Sequence, residues 1–64
     1  MISNFVKQHR EAKNVTQQEL ADFCGVSRQT IIAVEKGNYE PSLGLAIKIT
    51  RFFKLKIEEL FVLK

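Results

Sequence analysis

The sequence has few of the residues that build covalently bonded or metal-held cores. Its 64 residues include one cysteine, one histidine and no tryptophan. A lone cysteine cannot form an internal disulfide, and no cysteine and histidine cluster indicates a metal site. A chain of this length buries only about 60% of the surface of its unfolded form. We therefore expect helix packing or a partner subunit to supply its stability.

The sequence also lacks a long apolar run. No stretch approaches the roughly 18 residues of a membrane span, and the first residues lack the hydrophobic segment of a signal peptide. This predicts a cytoplasmic protein without membrane contact. Because no cluster of His, Cys and Asp and no glycine-rich phosphate loop is present, we do not expect an enzyme. Neither a cofactor nor a small-molecule ligand is indicated.

The charge is only mildly one-sided. The net charge of +3 suits a nucleic-acid partner. Residues 1–40 contain five basic and five acidic side chains, so their formal charge is zero. Residues 41–64 contain five basic and two acidic ones, which gives the whole surplus of +3. Composition alone therefore does not predict DNA binding.

The middle of the chain carries the start and stop signals of two short helices. Thr16 followed by Glu19 is a capping box, and Gly25 can end the helix in a left-handed conformation. Ser27 caps the next helix, and Gly37 can end it. Since only three residues separate the two helices, we expect them to cross steeply. This arrangement is a helix-turn-helix.

Three further helices are predicted around this unit, within one domain that spans residues 1–64. Residues 2–13 read as a first helix capped by Ser3, and residues 42–53 as a fourth. The fourth is apolar around most of its circumference, so we expect it in the middle of the bundle. Residues 56–64 are predicted to form a short fifth helix. The fold class is therefore all-α with five helices.

Two charged residues interrupt the apolar faces of helices 1 and 3. Arg10 continues the face of Val6, and Glu35 continues the face of Ile31 and Val34. An unpaired charge there would cost several kcal/mol, so we predict a structural ion pair between Arg10 and Glu35. The alternative is two independent solvated charges at the edges of the faces.

The C-terminal segment has more apolar surface than a short terminal helix can bury. A contiguous exposed patch of this kind usually marks an interface, and a twofold homodimer is the commonest way to cover one. We therefore predict residues 55–64 as a dimerisation segment. Alternatively, the segment folds back onto helices 1 and 4. The predicted interface residues are Leu55, Ile57, Leu60, Phe61 and Leu63.

Four motifs together resemble a known family. They are TQQELA at 16–21, GVSRQTI at 25–31, EKG at 35–37 and PSL at 41–43, and they resemble the Cro/CI-type (Xre) helix-turn-helix regulators. The resemblance extends from about Val6 to Phe61. It implies a lambda-repressor-like DNA-binding domain, a sequence-specific transcriptional regulator of double-stranded DNA, and an Arg10–Glu35 pair. The compact members of the family typically act as homodimers, and the resemblance implies a repressor.

The sequence departs from the family pattern at four positions. Lys54 and Lys56 replace the small residues that commonly end helix 4 and cap helix 5, so the last helix should start less sharply. Phe23 stands where a polar surface residue is usual, which indicates a local contact or a partner surface. Ile32 replaces a frequent Ser on the side of helix 3 that reads DNA.

In such motifs the second helix of the unit lies in the major groove. The residues of helix 3 turned away from its apolar face are expected to read bases. Arg28 can bind guanine and Gln29 adenine, each through two hydrogen bonds, and Ile32 and Ala33 can contact thymine methyl groups. For Arg28 a phosphate contact is nearly as good an interpretation.

Hydroxyl, amide and ammonium groups near the groove edge are expected to bind phosphates. Gln17 opens helix 2, where free amides favour an anion. The alternative for Ser27 is that it only caps helix 3, and the alternative for Thr30 is that it is only a residue of that helix, without a phosphate contact. The phosphate candidates are Gln17, Ser27, Thr30, Lys36, Asn38 and Tyr39.

A dimer would present two recognition helices about 34 Å apart, which predicts a near-palindromic operator. The chain would then repress by excluding polymerase from an overlapping promoter. The alternative is an antitoxin-like interaction module. It would bind a partner protein through its C-terminal apolar surface and regulate its own operon.

Overall fold

The computed structural model describes the backbone of residues 2–63 and the side chains of residues 3–63. Two short antiparallel strands join the two ends of the chain: β1 (Ile2–Asn4) and β2 (Phe61–Leu63). Between them lie α1 (Val6–Ala12), α2 (Gln17–Cys24), α3 (Arg28–Lys36), α4 (Leu43–Phe53) and α5 (Ile57–Leu60). The predicted five-helix domain is confirmed, and the two-stranded ribbon is added to it.

The N-terminal residues are not helical, so the prediction of a first helix from residue 2 was wrong at its start. β1 pairs with β2 in the register Ile2 with Leu63, Ser3 with Val62 and Asn4 with Phe61. The predicted Ser3 cap does not form. Instead, the side-chain oxygen of Asn4 accepts a hydrogen bond of 3.1 Å from the amide of Val6.

The C-terminal helix is also shorter than predicted, because α5 is a single turn that ends at Leu60. Phe61–Leu63 is extended, and Lys64 lies outside the described residues. A three-residue strand contains only one step of alternation, so its pattern cannot be distinguished from a helix end. Its partner strand is at the other end of the chain, where no local signal points to it.

Helices α1 to α4 end in the same way. At each end, the amides of one left-handed residue and of the residue after it donate to carbonyls of the last turn, as in a Schellman motif. The residue in the left-handed conformation is Asn14, Gly25, Gly37 and Lys54 in turn. Lys54, at φ +57°, has a side chain that this conformation disfavours. The end of α4 is therefore the one that strains the backbone most.

One apolar core joins all the helices. Its fully buried side chains include Val6 from α1, Leu20 from α2, Ile31 from α3, Ile49 from α4 and Leu60 from α5. Each helix therefore contributes to the same interior, and the helix-turn-helix is fixed against α1 and α4 rather than standing alone.

Helix α4 is less enclosed than predicted. Leu43 and Ile47 lie one turn apart on its outer side, and both are exposed. The expectation of a helix buried nearly all round was therefore wrong on that side. None of the helices within residues 2–63 is long and apolar enough to cross a membrane.

Candidate nucleic-acid interface

Local hydrogen bonds fix both starts of the helix-turn-helix. The Thr16 hydroxyl accepts from the amide of Glu19 at 3.0 Å, while the Glu19 carboxylate accepts from the amide of Thr16 at 2.8 Å. This completes the predicted capping box. The Ser27 hydroxyl accepts from the amide of Thr30 at 3.3 Å, so the start of α3 is capped as well.

Helix α3 has one buried and one exposed side. Ile31 and Val34 are 0% exposed in the core. Arg28 and Gln29, at the other side of its first turn, are exposed to solvent. Ile31, Val34, Arg28 and Gln29 therefore lie on the sides that the sequence predicts. Of the four residues predicted to read bases, Ile32 and Ala33 are half-buried, which leaves part of each side chain accessible.

The Arg10–Glu35 ion pair is present. The Arg10 Nε donates to Glu35 Oε2 at 2.7 Å and its Nη2 donates to Glu35 Oε1 at 3.3 Å. A third donor, Nη1, reaches the carbonyl of Val15 at 2.8 Å. Because the two charged side chains are only 11% and 4% exposed, the pair is not two separate solvated charges. The hydrogen bond to Glu35 raises the pKa of Arg10 despite the opposing effect of burial.

Gln17 connects this ion pair to the exposed side of α3. Its Nε2 donates to Glu35 Oε1 at 3.1 Å, and its Oε1 accepts from Arg28 Nε at 3.4 Å. Four side chains thus form one hydrogen-bonded series from the interior to the surface. The sequence predicts Gln17 and Arg28 as separate DNA contacts, whereas the structure brings them together. Residue spacing gives no signal for a contact between the first residues of two different helices.

The other phosphate candidates divide into two groups. Ser27 and Thr30 have their hydroxyls 3.0 Å apart at the start of α3, so both take part in the cap. Lys36 ends α3, and Asn38 and Tyr39 follow it in the connection to α4; all three are exposed. Solvent-exposed candidates for phosphate binding therefore lie at both ends of α3.

A comparison with known proteins places this arrangement in a family. The family model described as helix-turn-helix matches residues 6–60. The chain belongs to the Cro/CI-type helix-turn-helix family of DNA-binding transcriptional regulators.

Two relatives and one solved structure show the extent of the similarity. An uncharacterized HTH-type transcriptional regulator of Methanocaldococcus jannaschii is 56% identical over 61 residues, which cover 95% of this chain and 92% of that one. A cryptic phage transcriptional repressor of Vibrio cholerae is 33% identical over 60 residues, 94% of this chain and 54% of its own. The crystal structure of a candidate DNA-binding protein from Bacteroides fragilis matches with a TM-score of 0.86 at 26% identity, covering 97% and 100% of the two chains.

In this helix-turn-helix regulator the predicted dimer residues do not share one environment. Leu60 is 0% exposed and belongs to the core, so its assignment to an intersubunit surface was wrong. Leu55 and Phe61 are partly buried against the same core. Ile57 and Leu63 are 42% and 80% exposed. Leu60 therefore fits the alternative in which the segment folds back onto the domain. The exposed apolar surface is formed chiefly by Ile57 at the start of α5 and Leu63 at the end of β2.

Three contacts of the regulator were missed or only partly foreseen. Lys48, to which the sequence analysis assigns no contact, donates to the carbonyl of Cys24 at the end of α2 at 3.3 Å. Burial raises the pKa of the Cys24 thiol, and the positive charge of Lys48 partly opposes this. Phe23 packs edge-on against Phe52 with ring centroids 5.0 Å apart. Phe23, which differs from the usual polar residue of the family pattern, thus makes a local contact.

The third contact involves Asn4, which the sequence does not single out. Its Nδ2 donates to the carbonyl of Val34 in α3 at 2.8 Å. This bond attaches the N-terminal strand to the recognition helix, across 30 positions of sequence. A helix prediction for residues 2–13 conceals it, because a helical Asn4 would have been expected to face solvent or the helix itself.

Proposed function

We propose that this regulator is a repressor that binds a near-palindromic operator as a homodimer and inserts α3 into the major groove. The observation that carries the proposal is the exposed first turn of α3, where Arg28 is held by Gln17 through a 3.4 Å hydrogen bond. An exposed side chain that is already ordered loses less conformational freedom on binding. The hydrogen bond from Arg28 to Gln17 thus supports the assignment of this first turn to DNA reading.

Base reading is assigned to the side of α3 that faces away from the core. Arg28 would bind guanine and Gln29 adenine, each worth about 1 to 3 kcal/mol of discrimination. Ile32 and Ala33 would contact thymine methyl groups through the part of each side chain that is accessible. The Arg10–Glu35 pair touches no base in this scheme, but it fixes α3 against α1.

Phosphate binding is assigned to the two ends of the helix-turn-helix. Gln17 begins α2, where unbonded amides and the helix dipole favour a negative charge. Its side chain also lines an open groove of about 780 Å³ together with Thr16 and Arg28, which leaves room for the DNA backbone. At the start and end of α3 we assign the same role to Ser27, Thr30, Lys36, Asn38 and Tyr39.

Self-association is assigned to the C-terminal end of a single domain of residues 1–64. Leu63 is 80% exposed and Ile57 42%, and burying such side chains favours a second copy. Two copies related by a twofold axis would place their α3 helices about 34 Å apart, one turn of the duplex. The similar Vibrio cholerae protein is named a transcriptional repressor, which favours repression over activation.

Selection of bound sites from random duplexes tests this function directly. We expect symmetric half-sites about one helical turn apart. Arg28→Ala and Gln29→Ala should each reduce discrimination at one position of the half-site by about 5- to 150-fold, the range of a lost base contact. Lys7→Ala, which removes an exposed charge from α1, is the control and should keep full discrimination. If both α3 variants discriminate like wild type, the assigned reading side is wrong.

Light scattering on the isolated chain tests the dimer. A stable dimer supports the homodimeric regulator. A monomer would favour the antitoxin-like alternative, in which the exposed Ile57 and Leu63 cover a different protein and the helix-turn-helix binds the promoter of the same operon. Leu63→Glu should then have no effect on molar mass, whereas it should dissociate a dimer built on this surface.

A further inference from the structure

We propose that Asn4 is a positioning residue that sets the distance between the two recognition helices of the dimer. The inference rests on the proposed homodimer. It comes from one juxtaposition in the structure: the Asn4 amide joins the terminal ribbon to α3 by a 2.8 Å hydrogen bond to the Val34 carbonyl. Among residues 3–63, no other hydrogen bond links the ribbon directly to α3, the proposed recognition helix.

The Asn4 side chain makes two bonds with opposite polarity. Its Oδ1 accepts from the amide of Val6 at 3.1 Å, at the start of α1, while its Nδ2 donates to the Val34 carbonyl. The amide of Asn4 can make both bonds because it carries an acceptor oxygen and a donor nitrogen on the same side chain. The carbonyls in the last turn of a helix lack intrahelical partners, so Val34 has capacity for this donor besides the amide of Gly37 at 3.0 Å.

Helix α3 is thereby held through two adjacent residues by two different parts of the molecule. The Glu35 carboxylate is held by Arg10 of α1 and Gln17 of α2. The Val34 carbonyl is held by Asn4, whose strand pairs with β2. The first attachment orients α3 within the helix-turn-helix. The second orients it relative to the segment that carries the exposed Leu63.

This second attachment matters for a dimeric DNA-binding protein. If the copies associate through the C-terminal segment, the separation of their recognition helices depends on how rigidly each α3 is fixed to that segment. Next to the ribbon, the amide of Phe5, the residue before α1, donates to the carbonyl of Leu60, the last residue of α5, at 2.8 Å. Loosening Asn4 should thus leave the reading of each half-site intact and relax the required spacing between half-sites.

Two variants remove the donor and keep the acceptor. Asn4→Asp can still accept from the Val6 amide but cannot donate to Val34 when ionised, and Asn4→Ser keeps an oxygen that is too short to reach Val34. Asn4→Ser introduces no charge, so it remains informative if the carboxylate destabilises the fold. Ser3→Ala, at the neighbouring position of β1, is the matched control.

The experiment measures binding to duplexes in which the half-sites are moved together or apart by one base pair. Wild type and Ser3→Ala should prefer the selected spacing to the same extent. We expect this preference to be about three- to tenfold lower in both Asn4 variants, the range of one net hydrogen bond. Discrimination at the bases read by Arg28 and Gln29 should remain as in wild type. Without DNA, amide exchange of Gly37 and Asn38 should accelerate in the Asn4 variants.

Two failures are distinguishable. If wild type shows no half-site symmetry or spacing preference, the proposed homodimeric function fails, and the inference fails with it. If wild type is strict and both Asn4 variants are equally strict, with exchange rates like those of Ser3→Ala, the positioning role of Asn4 alone is overturned. Loss of base discrimination together with spacing would also contradict it, because that result indicates a general loss of structure.

Discussion

The helix-turn-helix and the terminal ribbon are held together in different ways. In the helix-turn-helix, side chains near one another in sequence cap each helix, as Thr16 and Glu19 do at the start of α2. The ribbon has three residues in each strand, and its register joins Ile2 to Leu63. One region therefore depends on short-range side-chain contacts, and the other on backbone pairing between the two ends of the chain.

The difference shows where each region is vulnerable. Helices α2 and α3 have cooperative local bonds in addition to core packing, and α3 also has a buried ion pair. The ribbon is too short to be stable by itself, since even longer two-stranded hairpins are marginal in water. Its attachment to the rest of the protein includes Phe61 of the second strand, which packs against the core. Changes in the ribbon should thus act through the core and through Asn4.

The largest effect should follow from breaking the ion pair that joins α3 of the helix-turn-helix to α1. Arg10→Met leaves the Glu35 carboxylate buried without its partner, and we expect a loss of about 3 to 5 kcal/mol in the free energy of unfolding. Chemical denaturation measures it. The double variant Arg10→Met with Glu35→Leu removes both charges and should recover much of the loss. A cost below about 1 kcal/mol for the single variant, the range of exposed pairs, would contradict a buried clamp.

The next effect separates the core side of the C-terminal segment from its exposed end. Leu60→Ala should cost about 2 to 5 kcal/mol, because it removes a fully buried side chain. Leu63→Ala, at 80% exposure, should change the unfolding free energy of the monomer by less than about 0.5 kcal/mol. Denaturation at low protein concentration gives both values. Equal costs for the two variants would contradict the assignment of Leu60 to the core and of Leu63 to the exposed end of the ribbon.

The smallest effect concerns the left-handed end of α4. Lys54→Gly should raise the free energy of unfolding by about 0.5 to 1 kcal/mol, since glycine adopts φ +57° without the steric cost. Lys54→Ala removes the same charge but keeps the Cβ atom, so it is the matched control and should give no gain. A gain in the alanine variant equal to that in the glycine variant would assign the effect to the charge instead.

The parts predicted well from sequence are those with local chemistry. The capping residues lie within four positions of their hydrogen-bond partners, and the structure forms these bonds. They are Thr16, Glu19, Gly25, Ser27 and Gly37. The Arg10–Glu35 pair was predictable over 25 positions because both charges interrupt apolar faces. A buried charge requires a partner, so the pattern identifies the pair even without coordinates.

The parts that could not be predicted depend on tertiary partners. The strands at the two ends are recognisable only once the helices bring residues 2–4 beside 61–63. Leu60 could not be told from Leu63 by residue type, although one is buried and the other exposed. The connection from Glu35 through Gln17 to Arg28 joins three helix positions that no periodicity relates. These contacts are consequences of packing rather than of local pattern.

The antiparallel ribbon also brings the chain's first and last described residues side by side, with Ile2 opposite Leu63. A short peptide linker from Leu63 to Ile2 would therefore close a ring without stretching any helix. Closing the ring would restrict the unfolded ensemble while leaving α3 and its solvent side unchanged.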